Sequence, residues 1–345
     1  MADNIFLAVF TALPIITGLL IYLYVRKISI HIKNANWLKL SIGNILVFVF
    51  LCSLILLGGE IYYRFIYDTT DSFGLTKVST DWESRHYKFN NYAVRDSMDY
   101  NLKLSGKPRI TFIGDSFTAG HGIANVENRF ANKIRSIRPD LEIHVIAYNG
   151  WETGDELITL RKLSSAGYEF DNVVLVYILN DISDLMEQWA KAQARIHAIK
   201  PGFLFEHSYF LNILYYHYFA AHDPDISDYY GFVDKAYNGP LWEKQKERLA
   251  TIKQSMDAAH VKFSVVIFPF MHALGPNYKY REIHNKIDAF WKSLDVPYLD
   301  LLSVYDSYPA SALVVNAHDA HPNELAHTIA AKAINDFLNK NVLKH

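Results

Sequence analysis

The 345-residue sequence holds a single cysteine, Cys52, so no disulfide can close within the chain. It sits in an apolar run and reads as a small hydrophobe. Basic runs are also missing: the formal net charge is −2, and nothing suggests a nucleic-acid partner. Charged residues are only 20% of the chain against 50% apolar, little charge for a purely soluble protein. There is no internal repeat and no low-complexity segment. A signal peptide opens on a basic stretch, but here Met-Ala-Asp-Asn precedes the first apolar run. An uncleaved span is therefore expected.

Two long apolar runs account for the composition. Ile5–Val25 and Leu40–Gly59 carry no charged residue, and the second ends at Glu60. At about 1.5 Å of rise per residue, each helix covers roughly the 30 Å hydrocarbon core of a bilayer. The connection over 26–39 holds Arg26, Lys27, Lys33 and Lys39 and no acid. Basic residues in short loops stay cytoplasmic, so the chain beyond about Tyr67 is expected on the other side, periplasmic or extracellular. Tyr62, Tyr63 and Tyr67 fit an interfacial aromatic belt. Residues 1–67 then form an anchor in the cell membrane, and 68–106 a polar lead-in.

From residue 107 to 345 short apolar runs alternate with longer amphipathic patterns. Strands are expected at Ile110–Ile113, Ile143–Ala147, Val173–Ile178, Phe263–Phe268 and Pro297–Leu301. Helices are expected at Asn128–Ile137, Thr153–Ala166, Leu241–Ala259, Tyr280–Leu294 and Glu324–Lys340. That alternation predicts an α/β domain with a parallel sheet covered on both faces. The aromatic-rich stretch of about 185–239 breaks the rhythm. It reads as an insertion over the sheet's carboxyl edge, serving as a lid, a surface resting on the membrane, or extra core.

Four short segments at strand ends carry chemistry. Gly114-Asp115-Ser116 follows the first strand and places a hydroxyl in the crevice where open α/β sheets bind ligands. It is not the G-x-S-x-G of a nucleophile elbow. Gly150 follows the second strand and can offer its backbone N–H at close range. Asn180 follows the third, and its amide can donate to a developing oxyanion. His318-Asp319-Ala320-His321 precedes the last helix and supplies an imidazole base with a carboxylate. Alone, each is also a common turn, loop or capping feature. His318, His321 and His327 raise metal binding, but three- and six-residue spacings without cysteine are a weak metal signal, and no metal or other cofactor is expected.

In this order the four segments resemble the SGNH hydrolase (GDSL esterase/lipase) family, in its membrane-anchored bacterial type. The resemblance implies a flavodoxin-like three-layer α/β/α sandwich preceded by two transmembrane helices. It makes Ser116 the catalytic nucleophile, His321 its base, and Ser116, Gly150 and Asn180 the oxyanion hole. The family's usual acid lies three residues before the histidine, where this chain has His318. Asp319, two residues before, is taken as the acid, with a Ser–His dyad as the fallback. The lead-in Asn90-Asn91-Tyr92-Ala93-Val94-Arg95-Asp96 resembles one seen before the first block of such proteins, with Ala93 replacing the family's glycine. By analogy the substrate is an O-acyl, chiefly O-acetyl, ester of a cell-surface carbohydrate. Three alternatives stay open: an O-acyltransferase served by a membrane acyl-donor partner, a lipase, and a catalytically silent glycan-binding domain.

Overall fold

The computed structural model describes residues 2–29 and 37–343. Two long helices come first, α1 (Ala2–Ser29) and α2 (Trp37–Phe65), then α3 (Lys77–His86). The strand β1 (Arg109–Gly114) leads through α4 (Ser116–Ala119) and α5 (Phe130–Ile137) to β2 (Glu142–Ala147). From there α6 (Thr153–Ser165) leads to β3 (Asn172–Ile178). Then follow α7 (Glu187–Ala198), α8 (Phe203–His207), α9 (Tyr209–His222), α10 (Pro224–Ser227), α11 (Tyr229–Tyr237) and α12 (Pro240–Ala258). β4 (Lys262–Phe268), α13 (Arg281–Ser293), β5 (Tyr298–Asp300), α14 (Leu302–Tyr305) and α15 (Ala310–Leu313) come next. The hairpin β6 (Val314–Asn316) and β7 (Asp319–Pro322) and the helix α16 (Glu324–Phe337) follow, and a last helical turn over Leu338–Val342 closes the described fold. The five expected strands are the five strands of the sheet.

The chain divides into two compact units. The first comprises Met1–Asp68, Leu75–Trp82 and Ala198–His222; the second comprises Thr69–Gly74, Glu83–His197 and Asp223–His345.

In the second unit all strand pairs of the main sheet are parallel, in the order β2-β1-β3-β4-β5. That is the flavodoxin-like order, and it follows from composition. β1 and β3 are buried along their whole length, as strands covered on both faces must be. Right-handed crossovers that run in opposite directions, from β1 out to β2 and from β2 back past β1 to β3, put α5 on one face and α6 on the other. Accordingly α5 packs with α16, and α6 with α12. The order reverses between β1 and β3, which opens a crevice at their carboxyl ends. Gly114, Ala147 and Val176 lie in register there, so the loops after β1, β2 and β3 converge.

In the first unit α1 and α2 pack together and are long and apolar enough to cross a membrane. The apolar stretch of α2 is almost wholly unburied, which sets it apart from the core helix of a soluble protein. Arg26, Lys27 and Lys39 flank the connection, and Lys33 lies outside the described residues. The stretch predicted as one insertion is helical and divides between the units, with Ala198–His222 grouping with α1 and α2.

Candidate active site

Ser116 stands at the junction of β1 and α4, and the sequence forces a tight turn there. A Cβ at Gly114 would lie 2.4 Å from Thr118 Oγ1 and 2.8 Å from the carbonyl of Val176, so only glycine allows this approach to β3. Asp115 caps α4, its Oδ1 accepting from the Phe117 amide at 2.9 Å. Its Oδ2 accepts from Ser116 Oγ at 3.2 Å. Burial pushes the Asp115 carboxyl up to about 6, against the pull of His321.

The lead-in holds this turn from behind. Buried Arg95 donates to the carbonyls of Gly120 and Ile123, just past α4. Asp96 pairs with Arg129 at 3.0 Å and Arg135 at 2.7 Å, and accepts from the Tyr100 hydroxyl. Burial opposes ionisation, but the Arg135 hydrogen bond and the two guanidinium charges hold Asp96 well below the usual carboxylate range. Ala93, in the turn that starts this segment, has φ +55°. The position asks for the glycine that the resemblance places there.

β7 brings the base. His321 Nε2 lies 2.7 Å from Ser116 Oγ, and its Nδ1 lies 2.6 Å from Asp319 Oδ1. Successive strand residues face opposite ways, so Asp319 and His321, two apart on β7, share a face. That alternation explains the two-residue spacing. His318, at the family's usual acid position, is exposed in the hairpin turn, its N–H bound to Asn316 Oδ1. Asp319 Oδ2 accepts from the Thr70 hydroxyl. Burial alone would raise the Asp319 carboxyl, yet the His321 and His121 charges and these hydrogen bonds hold it far below its usual range.

His121 is the residue that the sequence reading missed. Its Nε2 is 3.5 Å from Asp319 Oδ2, its Nδ1 3.3 Å from Glu83 Oε1, and its ring centre 4.5 Å from that of His321. Burial would lower it, but Asp319 and Glu83 raise its pKa overall. The only signal was its place between Gly120 and Gly122, just after the serine. Among the described residues, His121, Asp319 and His321 put ligand atoms within 4.8 Å of one another and could hold a metal. The histidines singled out for that in the sequence do not assemble: His318 is exposed, and His327 is buried on α16 against Phe130.

Ser116, Gly150 and Asn180 line one cavity of about 400 Å³, with His321 at its wall. That volume falls within the range of small-molecule sites, roughly 300–1,000 Å³. Gly150 has φ +78° with open space where a Cβ would stand, so backbone conformation requires the glycine. Asn180 is held in the turn after β3, its carbonyl accepting from the Ser183 amide at 2.8 Å, beside the Tyr229 hydroxyl. Trp151, Trp189, Tyr148, Tyr229 and Tyr230 supply flat apolar walls. Glu152 lies among them, its Oε1 accepting from Trp189 Nε1 at 3.0 Å. Burial raises that carboxyl to about 8, with the charges of Asp184 and Asp155 adding and the Trp189 bond opposing.

No family model and no curated protein matches this chain in sequence. Among solved structures it is similar to a member of the lipolytic G-D-S-L family from Veillonella parvula DSM 2008. That match is 12% identical with a TM-score of 0.39 and covers 67% of this chain and 98% of the other. The psychrotrophic esterase EstA from Pseudoalteromonas sp. is similar at 16% identity and TM-score 0.41, covering 68% and 100%. So is the acetyl xylan esterase AlAXEase, at 15% identity and TM-score 0.40, covering 66% and 97%.

Proposed function

We propose that the second unit is a serine esterase of the SGNH hydrolase type, acting on O-acyl esters of carbohydrate. The observation that carries the reading is the continuous hydrogen-bonded line from Ser116 Oγ through His321 to Asp319, opening on a cavity that Gly150 and Asn180 also line.

In this reading His321 takes the Ser116 proton as Oγ attacks the ester carbonyl, and Asp319 stays ionised to stabilise the imidazolium. The oxyanion is received by the backbone N–H groups of Ser116 and Gly150 and the Asn180 amide, each such donor being worth about 100- to 1000-fold. His321 then returns its proton to the leaving alkoxide. Water, activated by the same imidazole, releases the acyl group and restores Ser116. The aromatic walls favour a ring-shaped alcohol, because their faces stack against the C–H faces of a sugar. In this reading α1 and α2 anchor the chain in the cell membrane, and the basic residues between them support a catalytic unit outside the cytoplasm.

Full-length protein in detergent is expected to hydrolyse an aryl acetate, with turnover reduced about 10⁴-fold or more in Ser116→Ala. Equal turnover in the two proteins would refute the assignment. A glycan acceptor that diverts the acyl group from water would turn the reading from esterase to O-acyltransferase.

A further inference from the structure

The helix α9 runs for 14 residues, Tyr209 to His222, without one Asp, Glu, Lys or Arg. At about 1.5 Å per residue it is some 21 Å long, too short to span a bilayer. An uncharged helix of that length belongs in a protein core or at a membrane interface. The core option does not fit: only Tyr209, Asn212 and Ile213 are buried, while Leu214 is 48% and Tyr218 66% exposed. On α8, Phe203 and Leu204 are likewise 64% and 54% exposed.

The partner of the buried side is a second, independent observation. The start of α9 docks on the carboxyl-terminal end of α2. Glu60, wholly buried, accepts from Ser208 Oγ at 2.7 Å and from the Phe210 amide at 3.2 Å. Phe210 stacks on Tyr63 at 5.9 Å, and a Cβ on Gly59 would meet its ring at 2.5 Å. Phe203 packs on Phe6 of α1 at 5.4 Å, and His207 Nδ1 lies 2.9 Å from Asp3 Oδ1. So α8 and α9 are fixed to the ends of the two spans, at the level where a bilayer passes into water.

We propose that α8 and α9 form an interfacial helix pair whose outer face, Phe203, Leu204, Leu214 and Tyr218, lies in the headgroup–acyl boundary of a phospholipid bilayer. A tyrosine-rich helix without Asp, Glu, Lys or Arg, as α9 is, suits that zone, with rings in the apolar layer and hydroxyls toward water. The inference rests on the reading of α1 and α2 as spans but not on the esterase chemistry.

The test uses full-length protein with Cys52→Ser, carrying one nitroxide-labelled cysteine, in phosphatidylcholine vesicles. Labels at Leu214 and Tyr218 are compared with Leu54 on α2 and with Lys244 on α12. The expected result is that Leu214 and Tyr218 collide more with oxygen than with a water-soluble nickel complex, less strongly than Leu54 and opposite to Lys244. Nickel access at both sites equal to that of Lys244, with Leu54 still lipid-exposed, overturns the inference and spares the anchor. Nickel access at Leu54 as well removes the anchor and the inference together. Shielding of both sites from both reagents points to a protein partner and likewise overturns it.

Discussion

In the second unit Val173–Ile178 bury every side chain within the sheet, whereas on α1 and α2 the same residue types face outward, among them Ile15, Leu19, Phe48 and Ile55. Both regions are apolar, so composition alone does not separate them; what differs is that the sheet encloses its apolar surface while the two helices leave much of theirs exposed. Polar groups follow the same division. The sheet unit buries Asp96 with two arginines and Asp319 with two histidines, in networks that hold Ser116 and His321. On α2 a single acidic side chain, Glu60, is wholly buried, and it joins the start of α9 to the end of α2. A buried charge costs several kcal/mol unless paired, so each marks a place where position matters.

Substitutions can break or sharpen this contrast. The largest effect is expected in the site. Asp319→Asn should lower turnover of an aryl acetate by about 10²- to 10⁴-fold, because the imidazole loses its orienting charge. His318→Ala should stay within about 2-fold, since that side chain is exposed in the hairpin turn. Comparable losses in the two variants would return the acid to the more usual spacing. Next comes Asp96→Asn, which leaves Arg129 and Arg135 without their counter-charge. Losing one partner of a buried pair costs about 3–5 kcal/mol. The variant should show a large drop in the unfolding midpoint of the sheet unit, followed by near-UV circular dichroism. The bilayer depth of a label at Leu54 should not change.

Glu152→Gln tests the pH dependence. Its folded carboxyl titrates near 8 against 4.5 when free, so its contribution to stability is complete below about 4.5 and is lost as pH rises toward 8. Glutamine carries no such proton. The midpoint difference, variant minus wild type, should therefore grow in the variant's favour from pH 5 to pH 8; a constant difference would mean that Glu152 ionises freely. The smallest effect is Ala93→Gly, which relieves a left-handed residue at φ +55°. That conformation costs an L-residue roughly 1–2 kcal/mol, partly offset by the entropy of glycine. A gain of about 0.5–1 kcal/mol in thermal unfolding is expected, and a loss would show that the turn is unstrained.

The sheet was legible because strands buried on both faces write continuous apolar runs, as in Val173–Ile178. The serine, glycine and asparagine segments were legible because they follow strand ends, where a parallel sheet gathers its loops, and the histidine segment because it directly precedes the last helix. His121 left no such trace: a histidine between two glycines acquires meaning only when the fold sets it against Asp319. The fixing of Ser116 by Arg95 and Asp96 was hidden for the same reason, since the lead-in acts through carbonyls and arginines distant in sequence. The division of the aromatic stretch was hidden too. Its packing onto α2 depends on Gly59 leaving room for Phe210, which a hydropathy pattern does not record.

The most direct test of the central claim is mass analysis of full-length protein treated with an aryl fluorophosphonate, which bonds only to an activated hydroxyl. The account predicts one adduct, on the peptide carrying Ser116, that disappears in His321→Ala. An adduct on another residue, or none on folded protein, would contradict it.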